Sequence, residues 1–441
     1  MAGRGFPVVS RVLQTRQQQI SFLVSFALAC LITLGLEQLA EHAIESSGPE
    51  NPGLAPSIFE ISGIYQRIVA AGPRKPKPTF TVVVPIEAAK GDPNLFNVCR
   101  QRGFLADLIR ATAAFSPSVI VIDKYFSTEC GKTDAGTRAL QNALREVTRR
   151  VPVVVGRTVD EKAAQTRGDH AQPTPPPLLP APEIGKKFGV REGLIELQAD
   201  TRRLPLGWTV RGDMGKGELW ATLPLTAAEA YDSRLQKKYP FLAQLIADHE
   251  EPYISFLNLR DLEKYSVYST LDILCAGKKK YLNRTCPDRP REDLEYLRGR
   301  IVVIGEVNED MDSHYSVIGY VPGIILHANY IEALLDQRYF KPVGWWMNYG
   351  VGFLIYFAFH FVLVKHHHAM QEARRRDVVL VFLKALGWSM VVVAGAIVLL
   401  YLTVIHTGWY VNPVTMGLVA FVIKLGELIF AAVPRGAGEA K

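Results

Sequence analysis

Long apolar runs near the two ends of the chain flank a central region in which apolar and polar residues are more evenly mixed. The first run, residues 20–36, has seventeen uncharged residues and would be about 26 Å long as a helix, close to the thickness of a bilayer core. The polar residues 37–41 that follow lack the small-residue spacing of a signal-peptide cleavage site. We therefore predict an uncleaved transmembrane helix at 20–40, with a cleaved signal peptide as the alternative.

Three further apolar runs follow one another at the C-terminal end, at residues 343–364, 385–405 and 409–433. Buried helices of a large soluble domain are the alternative, but three such runs within about 90 residues favour membrane spans. We predict transmembrane helices at 343–364, 378–405 and 409–433. Together with the first span they form a four-helix transmembrane region.

Basic residues are concentrated in the short segments next to these spans. Segment 1–19 has three Arg, the loop 365–377 has four Lys or Arg, and the tail 434–441 has two, whereas the loop 406–410 has none. Because Lys and Arg collect on the cytoplasmic side of a membrane, we predict that both termini and the basic loop are cytoplasmic. The region 41–342 is then outside a plasma membrane, which in a bacterium is the inner membrane.

Charged residues inside or beside the predicted spans are candidate contacts with membrane lipids or with a partner protein. They are Arg374, Arg375, Arg376, Lys424 and Glu427. Ionisable residues within a span are functional suspects by default. Lys424 and Glu427 are three positions apart, so they can also pair with each other on one helix face.

The outside region begins with β-branched runs that alternate with helical patterns. Residues 80–86, 119–122 and 151–155 are typical of strands, and residues 104–115 and 137–147 have the apolar spacing of helices. This order predicts right-handed crossovers and a mainly parallel sheet with helices on both faces, an α/β domain.

The second half of this region is less regular. Residues 160–185 are rich in Pro and indicate an extended surface loop. We predict a helix at 226–248, a strand at 300–305 and a helix that begins at Gly323 and ends near Leu335. The link 336–342 to the second span is short and contains aromatic residues and Pro, which favours a stiff connection.

Residues 102–109, 119–126 and above all 297–335 resemble the second class of CHASE sensor domain, an extracellular domain named for its association with cyclases and histidine kinases. The last stretch has the family's closing strand, Asp-containing loop, Pro-Gly turn and His-Ala-Asn helix. The resemblance covers nearly the whole chain, because it includes one anchor before the domain and three spans after it. It implies a membrane-anchored sensor.

The chain departs from this family pattern at two places. Family members often have acidic residues after the first strand, where this chain reads Pro85-Ile86-Glu87 followed by Lys90-Gly91-Asp92. They also often continue into a kinase, a cyclase or a similar output module, whereas this chain ends eight residues after Val433. We therefore expect a sensor without its own output domain that acts through partner proteins or as a homo-oligomer. A structural or accessory docking subunit of a larger membrane complex is the alternative.

Four candidate ligand-binding residues lie at or beyond the ends of the predicted strands, where ligands usually bind to parallel sheets, and a fifth, His327, lies on the predicted helix that begins at Gly323. They are Asp123, Asp310, Asp312, His314 and His327. The acidic loop with its His has donor types suited to a cation, but it lacks EF-hand spacing, and we predict no metal and no cofactor. An Asp that caps a turn and a His that packs in a helix are the plainer interpretations.

Charge and motifs exclude other classes of function. The net charge is +7, but residues 37–341 carry 39 basic and 39 acidic residues, which disfavours nucleic-acid binding by the central domain. The sequence has no Walker loop, no G-x-S-x-G, no H-E-x-x-H and no kinase signature. We predict that the protein is not an enzyme.

Four of the five cysteines lie in the predicted outside region, where oxidation is permitted. Cys99 and Cys130 follow the first and second predicted strands, so they should meet at one sheet edge if these strands are parallel neighbours. Cys275 and Cys286 flank a short Lys-rich loop. Of the three possible pairings we predict Cys99–Cys130 and Cys275–Cys286, with Cys30 free in the first span.

Overall fold

The structure is a computed structural model of the chain. It describes residues 16–45, 78–87, 98–127, 130–131, 133–160, 175–180, 184–198, 200–211, 217–257, 268–276, 280–281, 284–286, 291–307, 313–372, 375–407, 409–410, 419, 422–423 and 426. The chain divides into two compact units, Met1–Ser46 with Pro342–Lys441 and Ser47–Lys341.

The helices and strands are labelled in chain order. The α-helices are α1 (Arg16–Glu45), α2 (Val98–Ala113), α3 (Ala135–Val147), α4 (Leu223–Tyr231), α5 (Leu235–Lys238), α6 (Pro240–Ala247), α7 (Thr270–Cys275), α8 (Gly323–Leu335), α9 (Trp345–Glu372) and α10 (Arg375–Thr407). The strands are β1 (Thr81–Glu87), β2 (Val119–Tyr125), β3 (Val153–Arg157), β4 (Arg191–Leu194), β5 (Gly207–Arg211), β6 (Gly217–Ala221), β7 (Tyr253–Ile254), β8 (Lys280–Tyr281), β9 (Arg284–Thr285), β10 (Ile301–Val307), β11 (Ser313–Ser316), β12 (Gly319–Pro322), β13 (Tyr339–Pro342) and β14 (Trp409–Tyr410).

A five-stranded parallel sheet forms the centre of the Ser47–Lys341 unit. Its order is β1-β10-β2-β3-β4, and every neighbouring pair is parallel. The register places Val83, Val303, Val121 and Val154 side by side across four strands. The α/β fold with a mainly parallel sheet is therefore confirmed.

Helices cover both faces of this sheet, as its continuous apolar strands require. Val82 and Val84 point to one face, where α2, α3 and α7 complete a hydrophobic core. The alternate residue Val83 is also fully buried, on the face that α4 and α8 cover. Each fully buried Val or Ile contributes roughly 1.5–3 kcal/mol relative to exposure.

The predicted single helix at 226–248 is wrong, because the segment forms three short helices, α4, α5 and α6. The first break is at Asp232, whose backbone is extended with φ −126° and ψ 96°. The second is at Tyr239, which precedes Pro240 and has φ −124° and ψ 82°. A residue before proline is pushed out of helical conformation, which accounts for the second break.

Both predicted disulfides are present. The Cα atoms are 5.3 Å apart in Cys99–Cys130 and 5.3 Å apart in Cys275–Cys286. The assumption behind the first pairing was partly wrong, since β10 lies between β1 and β2. The pairing nevertheless holds because both strands end at the same edge of a parallel sheet. Cys30 is a free cysteine.

In the other unit, α1 packs against α9 through aromatic rings. Phe22 makes edge contacts with Phe353, Tyr356 and His360, with ring centroids 5.7, 5.5 and 5.0 Å apart. Phe22, Tyr356 and Ala29 are buried in this contact, whereas most large apolar residues of α1 are exposed.

One helical stretch in the described part of the chain, Phe22–Ile44, is long and apolar enough to cross a membrane, with mean hydropathy 1.9. The apolar stretches Trp346–Val362 and Leu383–Ala396 are shorter. The four-helix transmembrane region therefore stays a prediction.

The basic segment 365–377 differs from the predicted loop. Helix α9 continues through it to Glu372, and α10 begins at Arg375. The segment contains neither Gly nor Pro and is rich in good helix formers, so the helices extend beyond their apolar parts. Trp409–Tyr410 is a short strand and not the first turn of the predicted last helix.

Candidate functional site at the carboxyl edge of the sheet

Two neighbouring strands, β2 and β10, bring chemically active side chains to the carboxyl edge of the sheet. In the register of β10 and β2, Gly305 lies opposite Asp123. The next residues of these strands, Glu306 and Lys124, are therefore also close. This edge is where open parallel sheets usually bind ligands.

Asp123 and His327 are predicted site residues that the fold brings together. Asp123 Oδ1 lies 3.5 Å from His327 Nε2, and the two side chains are 9% and 2% exposed. The contact joins the end of β2 to the middle of α8. A carboxylate on this side of the ring favours the tautomer with its proton on Nε2.

Gly305 lets α8 approach the sheet closely enough for this contact. A Cβ at position 305 would be 3.0 Å from Asp123 Cβ and 3.0 Å from Ile324 Cδ1. Both neighbours are packed in the interior, so there is little room for them to move. The glycine therefore maintains the spacing between β10, β2 and α8.

A second cluster lies beside this pair and is more accessible. The Lys124 ammonium contacts Glu306 Oε1 and Gln101 Oε1, and Gln101 Nε2 donates to Glu306 Oε1. The Lys124 side chain is 15% exposed and that of Glu306 is 42% exposed. An ammonium, a carboxylate and an amide at one edge are groups that can recognise a small polar molecule.

Arg102 fixes the start of α2 to the segment after β2. It is fully buried, and its Nη1 donates to Thr137 Oγ1 at 2.7 Å while its Nη2 donates to the Ser127 carbonyl. Its guanidinium also lies 5.8 Å from the centre of the Phe126 ring. Together with the Cys99–Cys130 disulfide, these contacts hold the start of α2 against the segment between β2 and α3, beside the carboxyl edge.

Sequence reasoning missed Gln101, Arg102 and Lys124 as site residues. Arg102 begins one of the stretches that carry the family resemblance, and Lys124 directly follows Asp123. The local sequence could therefore have identified both as candidate site residues. Gln101 and Glu306 are 205 positions apart, and no local pattern predicts their contact.

Of the remaining predicted ligand residues, the structure describes His314 alone. His314 lies on the β11–β12 hairpin opposite Val321 and is partly buried. Asp310 and Asp312 lie outside the described residues. Within the described part of the chain, no group of three or more His, Cys, Asp or Glu side chains is arranged to hold a metal ion.

The structure describes two of the five predicted membrane or partner contacts, and those two by their backbone alone. Arg374, Lys424 and Glu427 lie outside the described residues, and of Arg375 and Arg376 the structure gives only the backbone at the start of α10.

Helix α8 links the site to the rest of the unit, because all thirteen of its residues are buried. Its polar side chains each reach a different segment. Asn329 Oδ1 accepts the Leu257 N–H at 2.8 Å, and the Tyr330 hydroxyl donates to the Thr201 carbonyl at 2.8 Å. Burial raises the pKa of Tyr330 far above its usual value, so it stays a neutral donor.

Glu332 at the end of α8 holds the entry of β1. Its Oε1 accepts the backbone N–H groups of Thr79, Phe80 and Thr81 at 3.1, 2.8 and 2.6 Å, and the Thr81 hydroxyl at 2.8 Å. Burial raises the pKa of Glu332, while these donors pull it back towards its usual range. The carboxylate thus joins the start of β1 to the end of α8.

The exit from α8 is held as firmly. Arg338 donates to the Ser255 carbonyl and to Asp336 Oδ2, and burial lowers its pKa. Tyr339 and Phe340 then pair antiparallel with Ile254 and Tyr253. Burial raises the pKa of Tyr339 to about 12. The link that we predict to be stiff is therefore held by hydrogen bonds and strand pairing up to Phe340.

Comparison with known proteins gives one match. The family model described as CHASE2 domain matches residues 24–364 of the chain. No curated protein matches the chain. No solved structure matches it either.

Proposed function

Because the chain belongs to the CHASE2 family of extracellular sensor domains, we propose that it is a membrane-anchored extracytoplasmic sensor that acts through partner proteins. In this proposal the protein has no catalytic activity and needs no cofactor. A small polar ligand binds at the carboxyl edge, and Lys124, Glu306 and Gln101 contact it. Membrane lipids surround the apolar helices.

The observation that carries the proposal is the Asp123–His327 contact. Lys124, which the ligand would meet, is the next residue after Asp123, and His327 lies in a helix with no exposed residue. A ligand that changes the position of Lys124 therefore changes the packing of α8. Since tightly packed elements move between discrete arrangements, such a change is passed on along the helix.

The path from α8 to the apolar helices is short. Only Asp336–Gly344 separates α8 from α9, and the Arg338 and Tyr339 contacts hold the first part of this link. A change in α8 thus reaches α9 through structured chain. Arg374 follows α9 two residues after its end, and Arg375 and Arg376 begin α10; a cytoplasmic partner would contact these three residues.

Membrane topology is the first experimental test. A reporter fused after Lys441 and another inserted next to Gln371 are expected to be cytoplasmic, and a reporter inserted next to Thr174 is expected to be outside. The reason is the basic charge of segments 1–19, 365–377 and 434–441. Paired phosphatase and fluorescent reporters, each active on only one side of the membrane, measure this.

An outside signal at Lys441 would contradict the four-span arrangement and leave an odd number of spans. The same fusions with Arg374, Arg375 and Arg376 replaced by Gln are a control for the charge argument. Weaker cytoplasmic retention of the reporter next to Gln371 is expected in that variant.

A docking subunit of a larger membrane complex is the second candidate. One observation favours it, because Lys124 and Glu306 already satisfy each other and so need no ligand. The two functions share fold and topology. They differ in whether a change at the carboxyl edge alters the cytoplasmic side of the protein.

A further inference from the structure

A basic surface lies at the amino edge of the sheet, opposite the candidate site. Segments 145–150 and 186–191 contain six basic residues and one acidic residue. They precede β3 and β4, two parallel neighbours, so they meet at the amino ends of these strands. The Thr148 hydroxyl links the two segments, because its one proton is shared between the Leu144 carbonyl at 2.7 Å and the Phe188 carbonyl at 3.0 Å.

We define the basic amino-edge patch as Arg145, Arg149, Lys186 and Arg191, all of which are exposed. The Arg145 guanidinium lies 5.0 Å from the centre of the Phe188 ring, and the Lys186 ammonium lies 5.2 Å from the centre of the Trp220 ring. Aromatic faces under the cations orient them without neutralising them.

The acidic residue within these segments, Glu146, and the one directly after them, Glu192, both contact other cations. Glu146 contacts Arg110 at 3.1 Å and Arg150 at 3.3 Å. Glu192, next to Arg191, is 6% exposed and lies 3.6 Å from Arg157. The patch therefore keeps a net positive charge at the surface.

The patch lacks the apolar centre that a protein partner usually needs. Phe188, the aromatic residue at its middle, is only 5% exposed. Protein interfaces rely on desolvated aromatic and aliphatic anchors, whereas a phosphate-bearing surface is bound by exposed Arg and Lys alone. These features favour a layer of anionic headgroups over a protein.

The start of β1 and the end of α8 lie at this same edge. Glu332, near the end of α8, binds Thr79 and Thr81 at the start of β1. Nine residues then lead from α8 to α9, which extended span at most about 30 Å. A bilayer that held α9 would thus be the anionic surface nearest along the chain.

We propose that the basic amino-edge patch binds the anionic headgroups of a phospholipid surface. Arg145 and Arg149 contact phosphate oxygens through paired N–H groups, and Lys186 and Arg191 add charge. This role is separate from ligand binding at the carboxyl edge and does not depend on it.

The test uses the full chain in micelles of an uncharged detergent, titrated with short-chain phosphatidylglycerol. Backbone hydrogen exchange in segments 145–150 and 186–191 is expected to slow, with no change on addition of phosphatidylcholine of the same chain length. In the variant Arg149→Gln/Lys186→Gln, half-saturation should require about 25-fold more phosphatidylglycerol, since each charge contributes about fivefold.

The matched control is Arg234→Gln/Lys237→Gln, which removes two exposed charges from another surface and should leave the titration unchanged. Equal protection by both lipids would overturn the proposal, as would an unchanged half-saturation in the patch variant. Protection by inorganic phosphate at the same concentration would assign the site to a free anion and also overturn it. Unfolding by urea checks that both variants remain folded.

Discussion

Replacing Glu332 with alanine is expected to lower the free energy of unfolding by about 4 kcal/mol. The change removes the acceptor of three backbone N–H groups and one hydroxyl. Each buried donor left without a partner costs about 1–3 kcal/mol, and Thr79, which is exposed, can regain water. Urea unfolding of the detergent-solubilised full chain measures the loss.

Two variants bracket this result. Glu332→Gln keeps one acceptor oxygen and should lose less stability than Glu332→Ala. Glu295→Ala removes a carboxylate that pairs with Arg298 at the surface, where an ion pair is worth at most about 1 kcal/mol. If Glu332→Ala were no more destabilising than Glu295→Ala, Glu332 would not hold the entry of β1.

Replacing Gly136 with alanine is expected to cost about 3 kcal/mol, which is large for one added methyl group. The new Cβ would lie 2.1 Å from the Cys99 carbonyl oxygen and 3.1 Å from Asp134 Oδ2. A backbone atom held by the Cys99–Cys130 bridge cannot move aside easily, so α2 and α3 must separate. The Arg102–Thr137 hydrogen bond beneath the candidate site would be lost with them.

Gly103→Ala is the matched control, because it makes the same change on the facing helix. Its Cβ would have a nearest neighbour at 3.9 Å, which is ordinary contact. Alanine is a better helix former than glycine by up to about 1 kcal/mol, so this variant should be as stable as the parent chain or slightly more stable. Thermal unfolding compares the two, and equal effects would contradict the close contact at Gly136.

Local pattern predicted the strands and helices of the sheet well. The β-branched run before Asp123 and the one before Gly305 are strands, and the helix after Pro322 begins and ends at the predicted residues. Because these segments are buried on both sides, they consist mainly of apolar residues, and this composition is enough to identify them from the sequence. The break at Asp232 was missed because a polar residue within an apolar pattern has no strong local signature.

Long-range pairing could not be predicted in the same way. β10 enters the sheet between β1 and β2 although more than 170 residues separate it from β2. The sequence indicated Asp123 and His327 as separate candidates, and only the insertion of β10 with α8 brings them together. The Lys124–Glu306 contact has the same origin, so its importance was missed.

The central claim is that a change at the carboxyl edge reaches segment 365–377, which we predict to be cytoplasmic, through α8. A direct measurement uses the full chain with the substitutions Cys30→Ser and Gln371→Cys, reconstituted in vesicles. The rate at which maleimide labels the cysteine at position 371 is measured. Asp123→Asn, which weakens the contact with His327, should change this rate by about fivefold. A Gly-Ser insertion after Lys341 should abolish the difference, and Lys237→Gln should cause none. If Asp123→Asn left the labelling rate unchanged, the result would contradict the account and favour a docking subunit.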